Sequence, residues 1–356
     1  MKKLVFVIGQ LSNGGAERVV SVLANSLSNK YIVTIITLID SRIEYQIDPQ
    51  IKVIHIESKT NNKICRVINR FAGLRKKISE INPDIIISFT TEINIYSIFS
   101  VIGKRVPLII SERNDPYNDP PSTFTRKIRN MVYRWASGYV FQTEDAKNYF
   151  SKLIKGPQVV IPNPICTNLP DARKCDKSHK IVTVSRLYEQ KNIPMLLNAF
   201  KEVYKKYPYY QLEIYGEGPL RSELEKLSRD LGIKDNVSFM GFCKDVHEHI
   251  KNAEVFVLTS NYEGMSNAML EALAMGLPTI CTDCPIGGAR TIIVNHKNGV
   301  LIPVNNTDML VSELIALISD IGKRESLSNF GFNLRDQLSV ESITKKWIDV
   351  IEQIEK

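Results

Sequence analysis

The chain of 356 residues lacks most features that would assign it to a class at once. No apolar run approaches the ~20 residues of a membrane span, so no spanning helix is expected. Met1–Val7 is basic and then apolar, like the start of a secretory leader. That run is short, and Gly14-Gly15 follows instead of a small-residue cleavage site, so the protein is expected to be cytoplasmic. Six cysteines (Cys65, Cys166, Cys175, Cys243, Cys281, Cys284) are scattered, and the single C-x-x-C, Cys281–Cys284, has no second pair to complete a zinc site. It ends a strand pattern and does not open a redox helix, so reduced structural thiols are expected. There is no Gly-x4-Gly-Lys phosphate loop and no Asp-x-Asp for a catalytic metal, and neither metal nor cofactor is expected. Repeats and low-complexity tracts are also missing.

What is present is an ordinary globular composition, 44% hydrophobic and 24% charged, in a chain too long for one core. The net charge of +8 is uneven: residues 1–165 hold 23 Lys and Arg against 13 Asp and Glu, and the remainder holds 23 against 25. Short β-branched runs alternate with helical patterns. The first series is Lys3–Ile8, Tyr31–Leu38, Ile51–Ile56, Ile85–Phe89, Leu108–Ser111 and Gly138–Gln142, with a helix over Glu17–Leu27. Pro162, Pro164 and Pro170 in the segment Pro157 to Pro170 mark a crossing point. A second series follows at Lys180–Ser185, Gln211–Tyr215, Val237–Phe239, Val255–Leu258, Pro278–Thr282 and Gly299–Ile302, with helices over Met195–Tyr207 and Leu220–Leu231. Buried strands alternating with helices predict α/β architecture: two Rossmann-like, doubly wound domains, 1–165 and 166–338, facing a central cleft. The last helix, 339–356, has Ile343, Trp347, Val350, Ile351 and Ile354 on one stripe.

Ligands of such sheets bind beyond the carboxyl ends of the strands. Three loops there draw attention. Asn261 to Pro278 is a short loop entering an apolar helix, with Ser266 or Asn267 as cap and Gly276 and Pro278 as stop signals. Glu263 and Glu271 flank the junction, on the order of 10 Å apart, and the helix N-terminus suits a phosphate. A ligand with hydroxyls at both ends and phosphates in the middle, such as a nucleotide-sugar, fits this spacing. A buried apolar helix with two solvated glutamates is the plain alternative. Arg186 and Lys191 leave the strand ending at Ser185, and fixed cations can stabilise a leaving diphosphate without a metal. After the first strand, Gly14-Gly15 allows close backbone approach, although an ordinary strand–helix turn reads the same way. Gly216 and Gly218 lack the third glycine of a dinucleotide fingerprint.

Together these motifs resemble the GT-B glycosyltransferases of family 4. Glu263-x7-Glu271 matches the family's Glu-x7-Glu signature, Arg186…Lys191 its cation pair, Gly14-Gly15-x-Glu17 its glycine loop, and Gly216 and Gly241 its nucleotide-contacting segments. The resemblance implies a retaining hexosyltransferase. Glu271 would bind the ribose hydroxyls and Glu263 the hydroxyls of the transferred sugar. The N–H groups of Gly264, Met265, Ser266 and Asn267 would line sugar and phosphates, while Arg186 and Lys191 hold the diphosphate. Front-face attack, with the leaving phosphate taking the acceptor's proton, is the mechanism usually drawn, and Glu263 is not read as a glycosidase-type nucleophile. Where many relatives carry Glu-His-Asn this chain has Glu112-Arg113-Asn114, so Arg113 carries over as a donor or acceptor contact only.

The resemblance also makes the first domain the acceptor side, with the last helix crossing back onto it. There Arg66, Arg70, Arg75, Lys76 and Lys77 stand beside Ile64, Val67, Ile68, Phe71 and Leu74. Arg126, Lys127, Arg129 and Arg134 likewise stand beside Ile128, Met131, Val132, Tyr133 and Trp135. Basic amphipathic helices lie on anionic membranes, and a polyprenyl-diphosphate-linked oligosaccharide at the cytoplasmic face is the expected acceptor. Helices with their apolar side in the core are the alternative, and nucleic acid is not expected, since no recognition module is present. Two other functions compete: a GT-B-like nucleotide-sugar 2-epimerase, and a non-catalytic nucleotide-sugar-binding protein.

Overall fold

The computed structural model describes residues 1–12, 14–58, 60–172 and 178–355, so Cys175 lies outside the described residues. The chain divides into two compact units, Met1–Pro164 with Val340–Lys356, and Ile165–Ser339. The boundary falls in the proline-marked segment, where Pro162, Pro164 and Pro170 disfavour regular structure.

In the first unit, seven parallel strands form one sheet: β1 (Lys3–Ile8), β2 (Ile32–Thr37), β3 (Lys52–His55), β4 (Ile85–Phe89), β5 (Leu108–Ser111), β6 (Gly138–Phe141) and β7 (Gln158–Val160), ordered β3-β2-β1-β4-β5-β6-β7. The inner strands bury nearly every side chain because helices cover both faces, which is why they read as continuous apolar runs. The terminal helix Val340–Glu355 packs Ile343, Trp347, Val350 and Ile351 into the same core as Leu4, Phe6 and Val20. Its Trp347 stacks on Phe89 at 5.6 Å.

The second unit repeats the wiring with six parallel strands: β8 (Lys180–Val184), β9 (Gln211–Tyr215), β10 (Val237–Gly241), β11 (Val255–Leu258), β12 (Thr279–Thr282) and β13 (Val300–Ile302), ordered β10-β9-β8-β11-β12-β13. In both sheets the strand order reverses about the first strand, so β1/β4 and β8/β11 are switch points. A chain leaving either side there opens a crevice at the carboxyl edge.

Several element ends differ from the sequence pattern. The helix expected over Glu17–Leu27 starts at Gly15, with Gly14 as its N-cap. The helix expected over Met195–Tyr207 runs Ile193–Lys206, because Pro194 is favoured in a first turn, where its missing N–H costs nothing. Helices Thr307–Ser319 and Ile321–Phe332 occupy a stretch that periodicity left unassigned.

Candidate active site

At the β8/β11 switch point two loops are laced together. β8 leads through Ser185 and Arg186 into the short 3-10 turn Glu189–Lys191. β11 leads through Thr259 and Ser260 to Glu263. Asn261 donates its backbone N–H to Gln190 O at 2.8 Å, and Gln190 Nε2 returns a bond to Tyr262 O at 2.9 Å. Thr259 Oγ1 donates to the carbonyls of Lys191 and Asn192, at 3.0 and 3.1 Å. Asn192 takes φ 45°, a left-handed conformation that asparagine tolerates well. Its amide reaches Asn261 and Asn305. This lacing fixes Lys191, which is buried, so that its ammonium pairs with the Glu263 carboxylate. Ser260 Oγ donates to the same carboxylate oxygen at 3.1 Å. Arg186 is exposed, lies over the Tyr188 ring at 5.4 Å, and makes no ion pair among the described residues.

Gly264, Met265 and Ser266 are buried and lead into the helix Asn267–Met275. Of the two candidate caps it is Ser266 that accepts from Met269 N, and Gly276 ends the helix at φ 85°. Glu271 stands one turn in and is 4% exposed, so it is not a solvated glutamate. Its Oε2 is 2.9 Å from His247 Nε2, and its Oε1 accepts the backbone N–H of Cys166 at 3.3 Å.

The glycines of this unit have a packing reason as well. A Cβ on Gly216, where φ is 131°, would stand 2.0 Å from Ser185 O, and one on Gly218 would stand 2.3 Å from Leu187 O. These positions let the loop carrying Arg186 cross close above them. Gly241 takes φ 75° and bonds across to Gly216. Sequence reasoning missed Gly288, whose Cβ would fall 1.5 Å from Gly264 O, so the Cys284–Arg290 segment supports the Glu263 loop from behind. Adjacent glycines ending a strand loop were the available signal. It also missed His247, which nothing but proximity in the fold connects to Glu271. Cys281 and Cys284 are buried, Cys284 donates to Ser260 O at 2.9 Å, and burial pushes both thiols up, Cys284 to about 11. Cys65, Cys243, Cys281 and Cys284 are free thiols.

In the first unit, the Gly14 backbone and the Tyr45 hydroxyl bond each other at 3.1 and 2.8 Å, fixing the turn before the helix Gly15–Leu27. Arg113 follows β5, but it is no surface charge. Its guanidinium stacks on Phe89 at 4.6 Å and reaches Asn163 at 2.9 Å, while Nε and Nη2 are buried with no hydrogen-bond partner among the described residues. Loss of hydration pulls its pKa down to about 9. Glu112 bonds Thr91 and Tyr133, and burial raises its carboxyl. Nearby, Thr90 is held at φ 73°, a strained position for a β-branched residue.

Much of the basic charge in this unit is structural. Arg129 is fully buried and donates to Asp119 O, Pro116 O and the Tyr149 hydroxyl. Arg126 holds Pro120 O and Pro121 O, and Arg75 holds Ser100 O and Ile102 O. The helix Lys63–Ile81 buries only Leu74 and Ile78, leaving Ile64, Val67 and Ile68 exposed. Phe124, Met131 and Trp135 are exposed as well. No helix among the described residues is long and apolar enough to cross a membrane.

Residues 13–169 match the model of Glycosyltransferase Family 4, and residues 167–334 match that of Glycosyl transferases group 1. A Campylobacter jejuni GalNAc-alpha-(1->4)-GalNAc-alpha-(1->3)-diNAcBac-PP-undecaprenol alpha-1,4-N-acetyl-D-galactosaminyltransferase is 28% identical over 99% of both chains. The amylovoran biosynthesis glycosyltransferase AmsD of Erwinia amylovora is 25% identical over 99% of this chain and 100% of its own. Among solved structures, Anabaena HepE in complex with UDP and glucose superposes with a TM-score of 0.83 at 17% identity, covering 99% of this chain and 100% of that one. With two units that share one strand order through six strands, a glycosyltransferase family 4 domain in the first half and a glycosyl transferases group 1 domain in the second, the chain is a glycosyltransferase with the GT-B fold.

Proposed function

We propose that the protein is a retaining transferase moving a hexose or N-acetylhexosamine from a UDP-sugar to a polyprenyl-diphosphate-linked oligosaccharide in surface polysaccharide synthesis. The observation that carries this reading is the pairing of Lys191 and Glu263 on the loops beyond β8 and β11, with Glu271 buried in the helix that the second loop enters. Glu271 takes the ribose hydroxyls, and Glu263 takes hydroxyls of the transferred sugar. The N–H groups of Gly264 to Asn267 line sugar and phosphates. Lys191, paired with Glu263, and Arg186, which has no ion pair among the described residues, receive the diphosphate as its charge develops. No metal is needed for that step. In the first unit, Gly14, Gly15 and Arg113 are substrate contacts. The relatives' named undecaprenyl-diphosphate substrates support the acceptor class.

Exposed Ile64, Val67, Ile68, Phe124, Met131 and Trp135, with the basic residues Arg66, Lys76, Lys127 and Arg134 on the same two segments, suit an anionic bilayer. We therefore place the protein at the cytoplasmic membrane face. The test is turnover of a panel of UDP- and GDP-sugars with a polyprenyl-diphosphate-sugar acceptor in detergent, beside Glu263→Ala and Lys191→Ala. Acceptor-dependent transfer from one donor, lost in both variants, supports the reading. Epimer formation without acceptor supports a 2-epimerase, and absence of nucleotide binding rejects both.

A further inference from the structure

Cys166, His247 and Glu271 come from three separate segments of the second unit: the stretch entering it, the short helix Val246–Ile250, and the helix Asn267–Met275. Their ligating atoms all lie within 4.8 Å of one another. Ligands at ~2.0–2.3 Å from a tetrahedral zinc stand roughly 3.3–3.6 Å apart, so the His247–Glu271 pair, now at 2.9 Å, parts slightly and the wider spacings within the group draw in. We propose that Cys166 Sγ, His247 Nε2 and a Glu271 carboxylate oxygen form a site for one borderline-soft divalent transition metal, zinc or cobalt, that shuts the nucleotide site.

Chemistry and setting both favour this. Thiolate, imidazole and carboxylate together suit Zn2+ or Co2+, whereas Mg2+ and Ca2+ require oxygen shells. Glu271 is buried at the base, while Cys166 and His247 are half-buried, leaving a solvent side for entry and a fourth, water ligand. The framework is rigid: Cys166, Val246, Met269, Leu270 and Ala272 all pack in one apolar cluster. The second carboxylate oxygen stays anchored by the Cys166 N–H. On binding, the Cys166 thiol releases its proton to solvent, the proton between His247 Nε2 and Glu271 moves through solvent to His247 Nδ1, and metal–sulfur, metal–nitrogen and metal–oxygen bonds replace the His247–Glu271 hydrogen bond. The metal then holds the carboxylate that the ribose needs, so metal and nucleotide exclude each other. This consequence, unlike the site, rests on the proposed ribose role of Glu271.

Co2+ titration of the EDTA-treated full chain tests the site. We expect a thiolate-to-cobalt charge-transfer band that saturates at one equivalent, is unaffected by excess Mg2+, and is abolished in Cys166→Ser. His247→Gln should weaken Co2+ binding by more than the roughly 10–100-fold that losing an outer-shell partner costs. A missing band, or one that survives Cys166→Ser, overturns the site and leaves the role of Glu271 untouched. Saturating Zn2+ should lower UDP affinity of the wild type by at least about tenfold, and leave Cys166→Ser unchanged. Chelation by UDP itself would affect both proteins equally. UDP binding that is equal with and without Zn2+, in a wild type showing the cobalt band, overturns the exclusion and with it the ribose role of Glu271.

Discussion

The two units share one strand order about a central first strand, yet they treat charge at the carboxyl edge in opposite ways. In the second unit the buried charges are paired: Lys191 with Glu263, and Glu271 with His247. In the first, Arg113 and Glu112 are neighbours in sequence whose side chains do not bond each other. Arg113 rests on an aromatic face and an asparagine, and Glu112 on a threonine and a tyrosine hydroxyl. A buried pair loses much when one partner is removed, because the other is left uncompensated. A buried lone cation already bears a desolvation cost, so its removal relieves the fold. Equal wiring therefore does not imply equal energetics, and this contrast can be tested directly.

The largest effect is expected from breaking the paired side. Lys191→Ala or Glu263→Ala should reduce kcat/KM about 10²–10³-fold, the scale for removing one preorganised group that meets developing charge. Loss below about tenfold would mean that the pair is only structural. Next, Gly288→Ala should displace Gly264 O, since no side chain can yield there. Overpacking of this kind costs about 1–3 kcal/mol, so both melting temperature and kcat/KM should fall. An unchanged variant would show that the supporting segment is loose.

On the first unit, Phe124→Ser should lower partition onto anionic vesicles by roughly 10- to 150-fold, given about 1.5–3 kcal/mol for burying a phenylalanine. Folding stability should move by less than about 0.5 kcal/mol, as for an exposed position. Unchanged partition would remove that helix from any membrane surface. The smallest effect sharpens the comparison most. Arg113→Met should raise the melting temperature by about 2–4 °C, equivalent to about 1 kcal/mol, by deleting buried unpaired donors, while lowering transfer activity. A lower melting temperature would mean that stacking on Phe89 outweighs desolvation.

Much of this was legible in the residues. Continuous apolar runs such as Ile85–Phe89 and Val255–Leu258 identified fully buried parallel strands, because helices on both faces leave no polar side. Ser266 and Gly276 bounded the helix after Glu263 through capping and left-handed geometry that few residues satisfy. Basic residues misled, since composition counts Arg129 and Lys127 alike, whereas one is buried on carbonyls and the other is exposed.

The sequence by itself determined every strand but β7, the paired switch-point loops and the family, because period, caps and motif spacing are local properties of the chain. Tertiary structure alone decided that Lys191 meets Glu263, that Arg113 lies against Phe89, and that Cys166 and His247 converge on Glu271. Those meetings join segments far apart in sequence. They depend on which strand follows which in the sheet, a packing outcome that no local pattern encodes.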